Sequence, residues 1–380
     1  MTPETMVVPT HIANKGPALG LLARRSYQLS RGRLVPAQEQ PGLRVEPEHV
    51  SSVNPGALER LANDTDLACF GKPSTDVLVR GSAHSTRGPV RTLDTAVRVG
   101  SMGKSVRVWG HRVVELGPQG RLGFSASEAF QSLPLTWDHA YGGRDSHAED
   151  KLHPRAKWSR TRRDEEPPGA VFYRRNPAGR GFFLDLDRER IAGTSAPNLE
   201  DPDDPVTPDR LLAKSDLDWM DRPVAACYEP VDWFSFPRQG FWLRAAHEAP
   251  SRPVYEVRKG LLRAADLGDR SLETPPDPRV YNCAPVGLSG ARLLGNERVS
   301  LWNLHPSREI LELDLPGERP KLLLEPPGCG IHELPALLQT VLIEPDQERV
   351  TLTWAGSLQV AAPFEQEACE TMRRAVQWQR

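Results

Sequence analysis

Along residues 349–354 the side chains alternate. Val350, Leu352 and Trp354 share one face of an extended chain, and Arg349, Thr351 and Thr353 share the other. A period of two is that of a strand resting one face on a core. LQTVLIEPDQERVTLTWAG (338–356) therefore reads as strand, polar turn, strand, with the second arm half-buried. Shorter β-branched runs with partial alternation precede it, TDVLVRGSAH (75–84), VRTLDTAVRV (90–99) and SVRVWGHRVVEL (105–116). GSMGK separates the last two at hairpin-loop length, with glycine available for positive φ, so these runs read as antiparallel strands. GFFLDLD (181–187), REILELDL (308–315) and PKLLLEP (320–326) are further strand candidates.

Helical periodicity is confined to two places. Phe364, Ala368, Met372, Ala375 and Val376 recur at spacings of three and four, with Glu365, Glu367 and Glu370 early and Arg373, Arg374 and Arg380 late. Stripe and charge order both suit a C-terminal helix in segment 357–380. TPDRLLAKSDLDWM (207–220) is a shorter candidate. Segments 36–48, 144–169, 198–209 and 273–279 read as loops. The expected fold class is mainly β: an antiparallel β-rich single large domain, or two packed β subdomains divided near residues 250–280, with a few short helices, a C-terminal helix and a tail at residues 1–14.

Composition strengthens the β reading. Proline supplies 36 of 380 residues, nearly twice the usual share of about 5%; it breaks helices but is tolerated at strand ends and turns. Basic and acidic residues number 48 and 50, a net charge of −2, so no overall field draws the chain to nucleic acid or an anionic membrane. Cys69, Cys227, Cys283, Cys329 and Cys369 are scattered and never spaced as C-x-x-C, a pattern of a reducing compartment rather than a disulfide framework. MTPETMVVPTHIANK lacks a basic region followed by a long apolar run, and no stretch reaches the roughly 18 apolar residues of a membrane span. A cytoplasmic protein is expected, with neither a membrane nor a nucleic-acid partner.

Candidate chemistry is sparse. GSMGKS (100–105) has Arg98 where a phosphate-binding P-loop needs its first glycine. GLSGA (287–291) lacks the G-x-S-x-G spacing of a hydrolase elbow. Ser82, His84 and Ser85 sit together in GSAHS, with no third partner visible. His139, His147 and His153, interspersed with Asp138, Asp145 and Asp150, match no metal-ligand spacing. Arg155, Lys157, Arg160, Arg162 and Arg163 surround Trp158, but DEE follows at once and a neutralised loop results. The acidic run at 200–204 reads as a solvated turn. No catalytic residue, metal or cofactor is expected.

The densest stretch is LTWDHAYGGRD (135–145). Gly142 and Gly143 can take conformations closed to other residues, so a sharp turn is expected. Trp137 and Tyr141, four apart, would share one side of a short helical turn. Asp138 would satisfy local backbone donors or pair with Arg144.

Five motifs then occur in a distinctive order: FGKPSTDVLVRGSAHS (70–85), PLTWDHAYGG (134–143), NPAGRGFF (176–183), APNLEDPDDPV (196–206) and YNCAP (281–285). In these the chain resembles a bacterial domain-of-unknown-function family encoded beside VgrG spikes, PAAR-repeat tips and toxic effectors in type VI secretion loci. The resemblance covers residues 15–356, and Lys72, Pro73, Asp76, Gly81, Gly142 and Gly143 stand in it as structural motif residues. It implies a non-enzymatic adaptor or chaperone that binds a cognate secreted effector, through a PAAR-containing or N-terminal region, and helps load it onto the VgrG spike. No catalytic residues come with it.

Such binding needs aromatic and arginine anchors on a rigid frame. Trp137, Asp138, Tyr141, Arg144, Trp233 and Trp242 are the candidates. The readings from other classes are a hydrolase-type enzyme using Asp138, His139 and Asp145, and a structural component of the secreted spike.

Overall fold

The computed structural model describes residues 4–12, 16–69, 72–152, 171–215, 218, 222–231, 260–261 and 277–379. Among these the architecture is mainly β, built on three principal sheets. The first runs in the order Thr5–Ile12, Gly16–Ser30, Arg349–Gln359, Leu337–Glu344, Asp76–Val79, with Arg33–Pro36 added against the end of Gly16–Ser30. Its neighbours are antiparallel except the last pair, which is parallel. The second, wholly antiparallel, runs Leu199–Glu200, Met102–Trp109, Thr92–Val99, Arg298–His305, Arg308–Asp314. The third contains His332–Leu334, Arg319–Glu325 and Arg373–Gln379.

The two expected hairpins are present. Leu337–Glu344 and Arg349–Gln359 pair antiparallel around a turn at Pro345–Gln347, and Thr92–Val99 pairs with Met102–Trp109, Val99 facing Met102. Burial of the first hairpin differs from the expectation. Thr351 and Thr353 are each only 2% exposed, so Arg349–Gln359 is covered on both faces. Their hydroxyls are used: Thr351 bonds Ser26 Oγ at 2.8 Å and Thr353 Oγ1 donates to Asp66 Oδ1 at 3.0 Å.

Gly16–Ser30 is buried almost without a break, apolar from Pro17 to Ala23, because it too is covered on both sides. Leu21 packs with Leu322, Leu324 and Met372, while Leu22 packs with Val8, Leu43 and Ala355. A larger cluster joins the first two sheets, bringing Tyr27, Val77, Val341 and Trp354 against Val97, Val106, Val299 and Leu301. Tyr228 and Cys283, from either side of residues 250–275, belong to this same cluster.

The C-terminal segment departs from the expected helix. Only Gln366–Thr371 is helical, and Arg373–Gln379 is a strand that completes the third sheet against Arg319–Glu325. A lone edge strand presents unpaired backbone groups. Arg373–Gln379 satisfies those of Arg319–Glu325, and tertiary pairing outweighs the helical stripe. At the other helix candidate, Pro208–Leu211 forms a 3-10 turn and Leu212–Ala213 a short strand, while 216–217 and 219–220 lie outside the described residues. Among the described residues no helix is long and apolar enough to cross a membrane.

Candidate functional site

The first and last motifs meet in the interior. Lys72 Nζ lies 2.7 Å from Asp76 Oδ2, both side chains being almost wholly buried. Asp76 also accepts from Asn282 Nδ2 at 3.0 Å, from the backbone N–H of Cys283 at 3.0 Å, and from that of Ala284 at 2.9 Å. Ser74 Oγ donates to Asn282 Oδ1 at 3.0 Å. KPSTD and NCAP, some 200 residues apart, thus form one hydrogen-bonded knot at the edge of the first sheet. Burial pulls the Lys72 pKa down, and the adjacent carboxylate with Cys283 more than offsets it, leaving the ammonium held above its ordinary value. Pro73 follows Lys72 into this turn, and Gly81 lies between the strands Asp76–Val79 and Ser82–His84.

The middle motifs form a second assembly. Trp137–His139 is a single 3-10 turn, and the chain then extends through Ala140 into Tyr141–Gly142, which pairs in parallel with Arg180–Gly181. Gly142 has φ 150° and Gly143 φ 99°. A Cβ on Gly142 would lie 2.1 Å from Asn176 O, and one on Gly143 would lie 2.5 Å from Gly179 O. Asn176 Nδ2 donates to the carbonyls of Trp137 and Tyr141 at 2.9 and 3.1 Å, so NPAGRG is the clamp on YGG.

Trp137 and Tyr141 are 5% and 0% exposed, which corrects their expected place as surface anchors. Their rings do not share a helical face but point to separate partners. Trp137 Nε1 donates to Pro230 O and Tyr141 OH to Arg210 O, each at 2.9 Å, and Tyr141 meets Tyr173 edge-on at 4.9 Å. Arg144 pairs with Glu149, its Nε 2.6 Å from Oε1, and not with Asp138. Asp138, 2% exposed, is held by Arg60 Nε at 2.7 Å. The same guanidinium reaches Glu229 Oε1 at 2.6 Å. Burial pushes the Glu229 pKa up to about 7, because Arg60 is shared with Asp138 and cannot fully compensate it.

The residues of the hydrolase reading face different partners. His139 Nδ1 contacts Asn198 Oδ1 at 3.2 Å, Asp138 holds Arg60, and Asp145 receives Arg190 Nη1 at 2.9 Å and the Leu184 N–H at 2.9 Å. Burial and the neighbouring Arg180 lower the His139 pKa. No group of three or more potential metal ligands assembles among the described residues. His84 has an acid partner, Asp346, at 2.6 Å, whereas Ser85 Oγ donates to Gly88 O. His153, the basic cluster 155–163, Trp233 and Trp242 lie outside the described residues.

One open groove of about 700 Å³ runs beside the second sheet. Arg98, Lys104 and Trp302 line it together with Val286 and the acidic turn Asp201, Asp203 and Asp204. The turn is therefore not merely solvated, and Glu200 behind it is buried, accepting from Trp109 Nε1 at 2.6 Å. Gly287, at φ 93°, lets the hairpin approach: a Cβ there would sit 2.6 Å from Gly103 O. Burial lowers the Lys104 pKa, with Asp201 3.9 Å away opposing the shift in part. With Trp302 as its one aromatic lining residue and charges of both signs around it, the groove differs from small-molecule pockets, whose lining is mostly apolar.

The model of a bacterial family described as "Uncharacterized protein conserved in bacteria (DUF2169)" matches residues 15–355. The chain belongs to the DUF2169 family. No curated protein and no solved structure matches it.

In this DUF2169 chain Lys72, Asp76, Trp137, Asp138 and Tyr141 of the motifs sit in the interior, and of the five motifs APNLEDPDDPV reaches the groove, through Asp201, Asp203 and Asp204. Arg60 and Glu229 were missed as well. Each is an isolated charged residue in its own segment, and only tertiary contact over 78 and 92 positions joins them to Asp138 and Trp137.

Proposed function

We propose that the chain is a non-enzymatic effector adaptor of type VI secretion, working in the cytoplasm, which holds a secreted effector through the groove beside Trp302 and helps load it onto the VgrG spike. The observation that carries the reading is a division of labour. Lys72, Asp76, Trp137, Asp138 and Tyr141 of the motifs are committed to buried contacts that hold the fold, while the groove of about 700 Å³, which takes Asp201, Asp203 and Asp204 from the APNLEDPDDPV motif, presents polar groups and an indole beside the second sheet. The type VI setting is supported by the ordered resemblance of five motifs. Docking the PAAR-containing or N-terminal region of the effector would bury Trp302 and engage Asp203 and Arg98, aromatic and charged anchors of the kind that dominate interface energy.

Co-expression with the effector encoded next door should raise its soluble yield and give a co-purifying complex. Trp302→Ser combined with Asp203→Arg should weaken that complex at least about tenfold while melting temperature holds. Absence of a complex with every neighbouring effector would sink the adaptor reading; a complex indifferent to both substitutions would move the interface elsewhere. A structural spike component would instead be recovered stoichiometrically in the secreted fraction.

A further inference from the structure

A second cleft, on the first sheet and distinct from the groove, gathers four cations. Arg24, Arg44, Lys72 and Arg80 line it with the loop residues Asn63, Thr65 and Asp66. Arg24 is 4% exposed. Its Nη1 donates to Gly42 O at 3.1 Å and Asp66 Oδ2 at 2.8 Å, but its Nε is buried without a partner. The Arg44 guanidinium makes no hydrogen bond or ion pair among the described residues; its backbone is engaged, the N–H donating to Asp66 Oδ2 at 2.7 Å and the carbonyl accepting from the Asp66 N–H at 2.8 Å and Thr65 Oγ1 at 3.1 Å.

The carboxylates in and near the cleft have partners. Asp64, which lines it, accepts from the Thr65 N–H through Oδ1 at 3.0 Å. Asp66 accepts from Arg24, the Arg44 backbone and Thr353. Asp76 is sequestered by Lys72 and the backbone of residues 283–284. Glu48 is bonded to Asn63 and comes no nearer than 3.9 Å to Arg80. Burial lowers the Arg44 pKa, and the neighbouring Arg24 lowers it further, against partial compensation by Asp66 and Glu48. A buried guanidinium beside another is costly unless an anion joins them.

We propose that this cleft is an anion site that takes one carboxylate-sized oxyanion between Arg24 and Arg44. Its interior of about 20 Å³ exceeds the roughly 10–15 Å³ a single water needs and is far too small for a nucleotide. The planar fork of Arg44 matches a carboxylate in two-point geometry. The inference stands independently of the adaptor reading. The carboxylate has two sources, a free small anion or an acidic side chain of a bound protein.

Isotope-labelled formate and acetyl-aspartyl amide, titrated separately at constant ionic strength and followed by NMR, test it. Arg44→Gln should fold normally, since the side chain makes no bond, and should bind at least about tenfold more weakly than wild type. Arg121→Gln, the same charge change at a distant exposed site, should bind as wild type. Binding of formate alone identifies a small free anion, and binding of both identifies a side-chain carboxylate. Absence of saturable binding by either probe, or equal binding by Arg44→Gln and Arg121→Gln, overturns the proposal.

Discussion

The knot at Lys72 and the cluster at Arg60 are both buried and ionic, yet they differ in stoichiometry. At Lys72 one cation meets one carboxylate, and the lone pairs left on Asp76 are filled by Asn282, Cys283 and Ala284. At Arg60 one guanidinium serves two carboxylates, leaving Asp138 Oδ1 buried without a partner and Glu229 with a pKa of about 7. Burying charge costs several kcal/mol per ion unless geometry and hydrogen bonds compensate it. The first cluster is balanced, one positive charge against one negative. In the second, one guanidinium bonds two carboxylates, and the Glu229 pKa is raised.

Breaking the balanced cluster should have the largest effect. Asp76→Ala leaves Lys72 charged and buried, and should cost about 3–5 kcal/mol in urea denaturation. Lys72→Met together with Asp76→Leu should recover only part of this, because the N–H groups of Cys283 and Ala284 lose their acceptor at about 1–3 kcal/mol each. Full recovery would show that charge pairing, and not the hydrogen-bonded knot, holds the two motifs together.

The unbalanced cluster predicts a smaller, pH-dependent effect. The Glu229 pKa is raised on folding from 4.5 to about 7, so the folded state binds the extra proton. Its contribution is fully present below about pH 4.5 and is lost as pH rises through about 7, by up to about 3 kcal/mol. Glu229→Gln keeps an acceptor for the Trp137 N–H and should remove this slope, so that the variant is the more stable protein at pH 8. Parallel slopes for the two proteins between pH 5 and 8 would refute the assignment.

The smallest change is expected from Asp138→Asn. It removes the like charge that raises Glu229, shifting the slope to lower pH with a net change of about 1 kcal/mol. Melting temperature recorded across the same pH range reads it.

Legibility in the sequence tracked how many faces of a segment are covered. Thr92–Val99 and Met102–Trp109 showed their period of two because one face of each is more open. Gly16–Ser30 hid its strand because Leu21 and Leu22 are both fully buried on opposite sides. Phe364 to Val376 imitated one long helix because Ala375 and Val376 belong to a strand whose pairing only Arg319–Glu325 makes visible. Gly142 and Gly143 did announce a sharp corner, since positive φ and close backbone approach demand glycine.

By itself, then, the sequence determined the β class, its two main hairpins, the glycine corner and the motifs of a DUF2169 chain. These follow from local periodicity and local backbone sterics. Tertiary structure alone decided that Trp137, Tyr141 and Asp138 are interior groups, that Arg60 must serve two acids, and that the Arg44 guanidinium is left without an ion pair among the described residues. Such outcomes depend on which distant segments share a low-dielectric interior, and no local pattern encodes the match of charges and donors across it.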